Sequence, residues 1–354
     1  MPEWEPVIGL EIHVQLKTQT KMFCGCESGF GGEPNTRTCP VCLAFPGALP
    51  VPNETAVEWT IKLGHALNCR IAERAVFHRK NYFYPDNPKG YQISQYDEPL
   101  CVEGSFVVPG PDGDTEVRIV RAHLEEDAAK TIHVGGATGR IVGSAHSNVD
   151  FNRGGTPLVE IVTQPDLRSA DDAKRFLQLL RQTIVELGIS DAEMEKGTLR
   201  ADANVSVREV GETGYRTRTE LKNMNSFNHI ARGIEAELRR QIETWESGGE
   251  VVQETLDYEV KSDKVTPRRS KEEAEDYRYF RSRTWCPSNR RLPSSSGSAA
   301  RCRSFPVLAS GASRRSSSSR ITTRRCSTAR PPAQRCSSRS RSKASRQRRR
   351  RTSS

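Results

Sequence analysis

The most constraining feature of this sequence is a strict alternation of apolar and polar side chains over residues 7–16. The apolar set is Ile8, Leu10, Ile12, Val14 and Leu16. A segment with this period of two is a half-buried β-strand, and its second face carries Glu11 and His13. These two side chains lie about 6–7 Å apart along such a strand. They fit an ordinary solvated face, or a pair of ligands for a divalent cation.

Four further segments combine a strand pattern with charged side chains. They are residues 117–127, 158–163, 199–208 and 217–222. In the last of these, Arg218, Glu220 and Lys222 share a face. In the segment 117–127, we assign all odd-numbered side chains to one face of the strand: Val117, Ile119, Arg121, His123, Glu125 and Asp127. Any single face could be ordinary surface, but together they predict a sheet with one side lining a polar cleft.

Two acidic positions strengthen this prediction. The run at residues 125–127 would repel itself unless a cation or a basic group neutralised it. Glu160 lies within an almost wholly apolar run, where a carboxylate is costly to bury unless it is paired or bound to a metal. Both positions therefore favour a charged ligand or partner beside the sheet.

Three segments have the apolar period of amphipathic helices. The first follows Asn53 and reaches about Leu67, and the second runs from a cap at Ser169 to Gly188. The third runs from about Ser226 to the glycines at 248–249. Their apolar stripes are assigned to the core. Because strands and helices alternate irregularly, the expected class is α+β with a largely antiparallel sheet and covering helices.

Four cysteines are clustered in the spacing C-x-C, twelve residues, C-x-x-C. They are Cys24, Cys26, Cys39 and Cys42. Four thiolates close a tetrahedral site around structural Zn²⁺ and leave no position open for catalysis. The plainer alternative is four reduced thiols. The chain has no apolar run long enough to span a membrane and no secretory signal, so a metal is favoured over disulfides and a cytoplasmic location is expected.

Two loops carry basic groups suited to a phosphate. Residues 79–91 combine Lys80 and other cations with three Tyr and one Phe, which suits stacking and phosphate contacts or simply a proline-stiffened loop. Residues 150–157 form a glycine-bearing turn with Arg153, where backbone amides could approach a phosphate. Neither loop matches a known phosphate-loop pattern, and the sequence shows no recognisable catalytic triad. The spacing of residues alone therefore does not identify a reaction.

The last part of the chain differs sharply in charge. Residues 281–354 contain 20 Arg, one Lys and 21 Ser but no Asp or Glu, so they carry +21. Residues 1–280 hold the other 33 basic side chains and all 44 acidic ones, so they carry −11. The basic segment has too few large apolar residues to offset the entropy of ordering it. We expect an acidic folded body and a disordered basic tail, and not a uniformly basic nucleic-acid-binding domain.

Six motifs then occur in a distinctive order. They are IGLEIH at 8–13, RKNYFYPD at 79–86, HLEEDA at 123–128, NRGGTPLVE at 152–160, LRADAN at 199–204 and LKNMNSF at 221–227. Over about residues 5–280 the chain resembles the GatB family, the B subunits of the bacterial glutamyl/aspartyl-tRNA amidotransferases. The resemblance implies a cradle-shaped catalytic domain akin to glutamine synthetase over 1–280. The family's helical and tail domains, which hold tRNA, are expected to be absent.

The resemblance also implies a reaction. In this family, a ligase forms carbon–nitrogen bonds with glutamine as the amido donor. The GatB protein uses ATP and Mg²⁺ to phosphorylate the side-chain carboxylate of Glu on tRNA(Gln) or Asp on tRNA(Asn). Ammonia released by an amidase subunit displaces the phosphate, and a small third subunit makes the enzyme a heterotrimer. The second hypothesis is a zinc-containing RNA-binding or assembly module without surviving catalysis.

Residue roles follow from the same resemblance. The residues that resemble the Mg²⁺ ligands are His13, Glu125 and Glu160, and Glu11 joins them in the catalytic cluster. Clustered acids need a metal, and the metal offsets charge on a transferring phosphoryl group. Candidates for contacts with ATP phosphates are Lys80, Arg153, Arg200 and Lys222. The four cysteines resemble the zinc site found in part of the family.

The resemblance stops at Phe280. The family continues with Pro-Glu-Pro-Asp-Leu, whereas this chain reads Arg-Ser-Arg-Thr-Trp. GC-rich codons can be chosen for residues 281–291 such that one extra C after Phe280 restores the family's continuation. We therefore hypothesise that residues 281–354 are out-of-frame translation after a one-base deletion. The alternative is a genuine Arg/Ser arm that binds RNA through phosphates, although the segment has no regular Arg-Ser repeat.

The nucleotide sequence of the gene tests the frameshift hypothesis directly. We expect that adding one base after the codon for Phe280 opens a frame that encodes Pro-Glu-Pro-Asp-Leu. The measurement is resequencing of this region from genomic DNA. A shifted frame that encodes an unrelated peptide would show that the tail is genuine.

Overall fold

A nine-stranded sheet organises the part of the chain that the computed structural model describes, which is residues 3–111, 113–135, 143–260, 262–270 and 279–281. These residues all belong to the unit Met1–Phe305, one of two compact units in the chain. The second unit, Pro306–Ser354, lies outside the described residues. The disorder expected for residues 281–354 therefore concerns a segment that is not described beyond Arg281.

Fourteen strands are present in the described ranges. They are β1 (Trp4–Gln15), β2 (Arg70–Ile71), β3 (His78–Asn81), β4 (Tyr91–Ser94), β5 (Cys101–Val108), β6 (Thr115–Glu126), β7 (Lys130–Val134), β8 (His146–Asp150), β9 (Pro157–Thr163), β10 (Leu199–Glu209), β11 (Thr219–Lys222), β12 (Glu254–Glu259), β13 (Lys264–Ser270) and β14 (Phe280–Arg281). The main sheet has the order β13-β12-β11-β10-β1-β9-β6-β5-β2. Two smaller sheets have the orders β14-β3-β4 and β7-β8.

The sheet is largely antiparallel, as predicted. Within the main sheet, the pair β11–β12 is parallel and the other neighbouring strands pair antiparallel. Three helices complete an α+β fold in the described ranges. The likeness of this architecture to glutamine synthetase remains an expectation. None of the three helices has both the length and the apolar character that crossing a membrane requires.

The helices begin and end where the sequence predicted. They are α1 (Glu54–Ala66), α2 (Ala170–Glu186) and α3 (Phe227–Glu246). A polar side chain caps each first turn by accepting a backbone N–H, and these caps are Asn53, Ser169 and Ser226. Gly188 and Gly248 follow α2 and α3 with φ of +72° and +78°, a conformation that glycine adopts without steric cost.

The core lies between the apolar face of the main sheet and the helices. The alternating residues of β1 are buried there: Ile8, Leu10, Ile12 and Val14. They belong to the same apolar cluster as Phe176 and Leu180 of α2 and Ile234 of α3. Because this face of β1 is buried under the helices, its polar face is left to line the opposite side of the sheet.

The face assignment for residues 117–127 was wrong at one end. Val117 and Ile119 lie in the core, as do the even-numbered Ala122 and Leu124 further along β6. The pairing of β6 with β9 shifts register between Ile119 and Arg121. This irregularity is a β-bulge, and the extra residue exchanges the two faces of the strand. Residues after the bulge therefore present their odd-numbered side chains to the polar face. Arg218, assigned to a strand face with Glu220, lies just before β11.

Truncation of the core between α2 and β5 should destabilise the fold. Phe176 is fully buried and packs edge-to-face on Phe106, with ring centroids 5.6 Å apart. We expect Phe176→Ala to lower the free energy of unfolding by about 3–5 kcal/mol, because it leaves a cavity. Val185→Ala, at a half-exposed position of the same helix, should change it by less than about 0.5 kcal/mol. Urea unfolding measures both, and equal effects would contradict the packing described.

Candidate functional site

Four of the predicted site residues meet on three neighbouring strands, β1, β9 and β6. The register places His13 beside Glu160, and Glu160 beside His123. The Nε2 atom of His13 lies 3.5 Å from Glu160 Oε2, 3.6 Å from Glu125 Oε1 and 3.9 Å from Glu11 Oε1. The structure thus brings together the whole acidic cluster that the sequence assigned to a metal.

Burial and mutual repulsion make this cluster costly to ionise without a counter-charge. Burial and the charge of Glu160 raise the pKa of Glu125 to about 7, and the same two causes raise the pKa of Glu11. Although burial disfavours its charged form, the three carboxylates raise the pKa of His13 to about 9. In the protein alone, the His13 imidazolium is therefore the central positive charge of the cluster.

The donor set fits a divalent cation in place of that proton. One ligand atom each from Glu11, His13 and Glu160 lie within 4.8 Å of one another, and so do atoms from His123, Glu125 and Glu160. Carboxylate oxygens are the donors that Mg²⁺ and Mn²⁺ prefer. Although burial opposes ionisation, His123 and His13 hold the pKa of Glu160 well below its ordinary range, so this shared ligand is ionised.

Two polar residues of the cluster were not predicted as site residues. The Nε2 atom of His123 lies 3.8 Å from Glu160 Oε2, and the hydroxyl of Ser94 lies 3.3 Å from the same nitrogen. The Ser94 hydroxyl also donates to Glu125 at 3.4 Å. Burial lowers the pKa of His123 to about 4, so its ring is neutral near pH 7 and becomes charged only in the acid range where Glu160 itself titrates. His123 shares a motif and a strand face with Glu125, a signal that could have identified it. Ser94 lies on β4, in a separate sheet, and has no such signal.

The cluster forms one wall of a cleft of about 680 Å³. The other predicted side chains on this cleft are basic: Lys80, Arg200 and Lys222. The acidic residues Asp127 and Asp202 also line it. Ligand sites for small molecules commonly have volumes of about 300–1,000 Å³, so the cleft is large enough for a nucleotide. The lining therefore offers ligands for a cation and, beside them, positive charge for an anion, because Arg200 pairs with His13 in the register of β1 and β10.

The basic residues of the cleft are held by carboxylates. The Nζ atom of Lys222 lies 3.0 Å from Asp202 Oδ2 and 3.3 Å from Glu220 Oε1. Although burial disfavours the ammonium, these two carboxylates raise the pKa of Lys222 above its ordinary range. Arg200 pairs with Asp127 at 3.2 Å. Lys222 therefore stays charged, and ion pairs hold both cations in place.

Arg153 occupies a different position from the other three predicted cations. Its Nε and Nη2 atoms lie 2.7 Å and 2.6 Å from Asp127 Oδ2. It stands in the loop between β8 and β9, and the side chains that line the cleft do not include it. Asp127 is thus shared by Arg153 and Arg200, and a phosphate contact by Arg153 would require it to leave Asp127.

The four predicted cysteines also come together. Their sulfur atoms lie within 4.8 Å of one another, and all four side chains are partly buried. Four Zn–S bonds of about 2.3 Å in a tetrahedron place sulfurs about 3.8 Å apart. The backbone N–H of Cys39 donates to Cys42 Sγ at 3.2 Å, and Cys24 donates a hydrogen bond that, with other contacts, lowers the pKa of Cys42 to about 4. The donor set and its geometry fit structural Zn²⁺.

Removal of the shared carboxylate should weaken cation binding in the cleft. We expect Glu160→Gln, which keeps the side-chain shape but loses the charge, to weaken Mn²⁺ binding at least about tenfold. The control is Glu116→Gln at an exposed position of β6, which should bind Mn²⁺ like the wild type. Free Mn²⁺ is measured by electron paramagnetic resonance. Equal affinities of the two variants would contradict a cation site at Glu160.

Comparison with known proteins places this geometry in a family. The model of the GatB/GatE catalytic domain matches residues 6–287. The B subunit of the aspartyl/glutamyl-tRNA(Asn/Gln) amidotransferase of Myxococcus xanthus is 51% identical over 278 residues, which cover 78% of this chain and 57% of the relative. Its counterpart from Symbiobacterium thermophilum is 54% identical over 279 residues, with shares of 78% and 56%.

A third relative matches about the same share of the chain. The B subunit of the aspartyl/glutamyl-tRNA(Asn/Gln) amidotransferase of Thermobifida fusca is 55% identical over 286 residues, which cover 78% of this chain and 55% of the relative. The chain therefore spans a little over half the length of the curated relatives it matches. Since both the family model and these relatives cover most of its length, this chain belongs to the GatB/GatE catalytic-domain family.

Proposed function

We propose that this chain is the catalytic cradle of an ATP-dependent tRNA amidotransferase, a ligase that forms carbon–nitrogen bonds with glutamine as the amido donor. Its substrate would be Glu on tRNA(Gln) or Asp on tRNA(Asn). The observation that carries the proposal is the cleft itself, whose lining combines the acidic cluster around His13 with Lys80, Arg200 and Lys222. The names of the relatives support the class of substrate.

The proposed reaction solves a chemical problem of the substrate. A carboxylate is a poor acyl donor because its oxygen is a poor leaving group. Transfer of the γ-phosphoryl group of ATP to a carboxylate oxygen gives an acyl phosphate and ADP. Ammonia then attacks the carbonyl carbon, the C–O bond to phosphate breaks, and the nitrogen loses a proton. The products are the amide on tRNA and inorganic phosphate.

The residues of the cleft suit the first of these steps. His13, Glu125 and Glu160, with Glu11 beside them, would hold Mg²⁺, and bound Mg²⁺ would offset the negative charge of the phosphates. The side chains of Lys80, Arg200 and Lys222 would contact phosphate oxygens in the same cleft. The loop with Arg153 would act through Asp127, or on a phosphate after leaving it.

Further parts of the assembly are proposed with this function. Cys24, Cys26, Cys39 and Cys42 would bind a structural Zn²⁺. An amidase subunit would supply ammonia, and a small third subunit would complete a heterotrimer in the cytoplasm; the designation of the relatives as B subunits supports the existence of further subunits. Residues 281–354 remain a proposed out-of-frame segment, and the family match ends at residue 287, close to Phe280.

A module that binds RNA or assembles subunits without catalysis is the second candidate. It is favoured by one observation, the group of four cysteines, which fits a closed structural zinc site and leaves no position open for catalysis. The two candidates differ in one property. Only the first predicts ADP release that depends on a misacylated tRNA.

The decisive experiment adds the whole 354-residue chain to the purified amidase and small subunits of a relative's enzyme. We expect slow ADP release that requires Glu-tRNA(Gln), well below the rate of a full-length relative. Glu125→Gln should abolish it because that side chain contacts His13 in the cluster, whereas the exposed Glu116→Gln should not. A coupled ADP assay with charged and uncharged tRNA measures the rates. No dependence on the charged tRNA would favour the non-catalytic module.

A further inference from the structure

A fully buried lysine lies between the four-cysteine site and the loop that carries Arg153. The side chain of Lys21 is fully buried, and its Nζ atom donates to the carbonyl oxygen of Phe151 at 2.9 Å and to Cys42 Sγ at 3.9 Å. Lysine is almost never fully buried unless it is paired. Among the described residues, Lys21 forms no ion pair with a carboxylate, so the sulfur of Cys42 is the anionic group beside its ammonium.

The electrostatics of a zinc site match this position. Four thiolates around Zn²⁺ carry a net charge of −2, and an ammonium next to one sulfur offsets part of it. A buried ammonium without such a partner would be costly, because few groups would replace its hydration. Lys21 and the occupied cysteine site would therefore stabilise each other.

The backbone around Lys21 joins the same two parts. Its N–H donates to the carbonyl of Cys26 at 2.9 Å, within the cysteine segment. The next residue, Met22, donates to the carbonyl of Gly155 at 2.7 Å. Gly155 has φ of +86°, and a Cβ atom there would lie 3.5 Å from Cδ of Lys21. The loop at residues 151–156 thus packs directly on the lysine.

The cysteine segment holds this loop at a second place. Asn35 accepts a hydrogen bond from the backbone of Phe151 at 2.8 Å and donates to the carbonyl of Val149 at 3.1 Å. The backbone of Arg37 donates to Asn152 Oδ1 at 2.8 Å. Because Asn35 and Arg37 lie between Cys26 and Cys39, their positions depend on how the cysteines are gathered.

The other side of the loop leads into the cleft. The backbone N–H of Asp127 donates to Thr156 O, and that of Gly155 donates to Asp127 O, both at 2.8 Å. Arg153 of the loop holds the Asp127 carboxylate, which also pairs with Arg200. A displacement of the loop would therefore move the group that fixes Arg200 at the cleft.

We propose that Lys21 is a positioning residue that makes the order of loop 151–156 depend on zinc binding at the four cysteines. Zinc gathers the thiolates, the thiolate of Cys42 fixes the ammonium, and the ammonium fixes the carbonyl of Phe151. The proposal rests on the proposed zinc site but not on the proposed reaction. Its consequence is that a structural metal outside the cleft sets the geometry of Asp127 and Arg200 inside it.

Amide hydrogen exchange of the whole chain, with zinc and after chelation, tests this coupling. In the wild type, we expect chelation to speed exchange at Gly155 and Asp127 at least about tenfold, because both amides bond across the loop. Lys21→Met should show the faster exchange already with zinc bound, and chelation should add little to it. Its zinc affinity, measured by competition with a chelating dye, should fall on the order of tenfold.

A control separates this role from the loss of any lysine that donates to a backbone carbonyl. Lys62, which is only partly buried, donates to the carbonyl of Leu187 at 2.6 Å, and the described contacts do not connect it with the cysteines. Lys62→Met should leave zinc affinity and exchange at Gly155 as in the wild type. Equal effects of the two lysine variants would contradict the proposal.

Three further results would overturn the proposal or part of it. Should Lys21→Met fail to fold, Lys21→Gln removes the charge and keeps a hydrogen-bond donor on a side chain one atom shorter. A zinc affinity equal to that of the wild type would then overturn the counter-charge role. An amide exchange rate at Gly155 that chelation leaves unchanged in the wild type would overturn the coupling. A wild-type chain that binds no zinc would do the same, while leaving ATP-dependent chemistry in the cleft untouched.

Discussion

The concentration of buried carboxylates around His13 is the constraint on which the rest of the structure depends. Three consecutive residues at the end of β6 are acidic and buried, and each has a different counter-charge. Glu125 faces His13, Glu126 pairs with Lys89, and Asp127 pairs with two arginines. Since buried charges without partners are costly, elements far apart in sequence must meet at this point.

This constraint explains why the two basic loops lie where they do. Lys89 comes from the aromatic loop at residues 79–91, and Arg153 comes from the glycine-bearing loop before β9. The sequence predicted phosphate contacts for Lys80 and Arg153 of these loops, with a proline-stiffened loop as the alternative for the first. In the structure, Lys89 and Arg153 pair with acids of the protein itself, and Lys80, Arg200 and Lys222 line the open cleft. A basic side chain near a phosphate site can contact the phosphate or neutralise a carboxylate of the protein, and composition does not distinguish these two roles.

Local features of the fold could be predicted, and features that depend on strand pairing could not. The sequence predicts the helix caps and the alternation along β1 because each depends on neighbours in sequence; the caps are Asn53, Ser169 and Ser226. The spacing of the four cysteines also predicted that they come together. The bulge after Ile119 was not, since it exists only in the register between β6 and β9. Ser94 was missed for the same reason, as its strand reaches the site from another sheet.

The bulge also decides which side chains of this strand reach the candidate site. Before it, odd-numbered residues such as Ile119 face the helices, and after it His123 and Glu125 face the cleft. If every residue of β6 alternated regularly from Ile119 onward, both of these side chains would turn toward the apolar core, in exchange for Ala122 and Leu124. The bulge therefore belongs to the candidate site as much as His123 and Glu125 do, because it aims both side chains at the cleft although it contributes no ligand of its own.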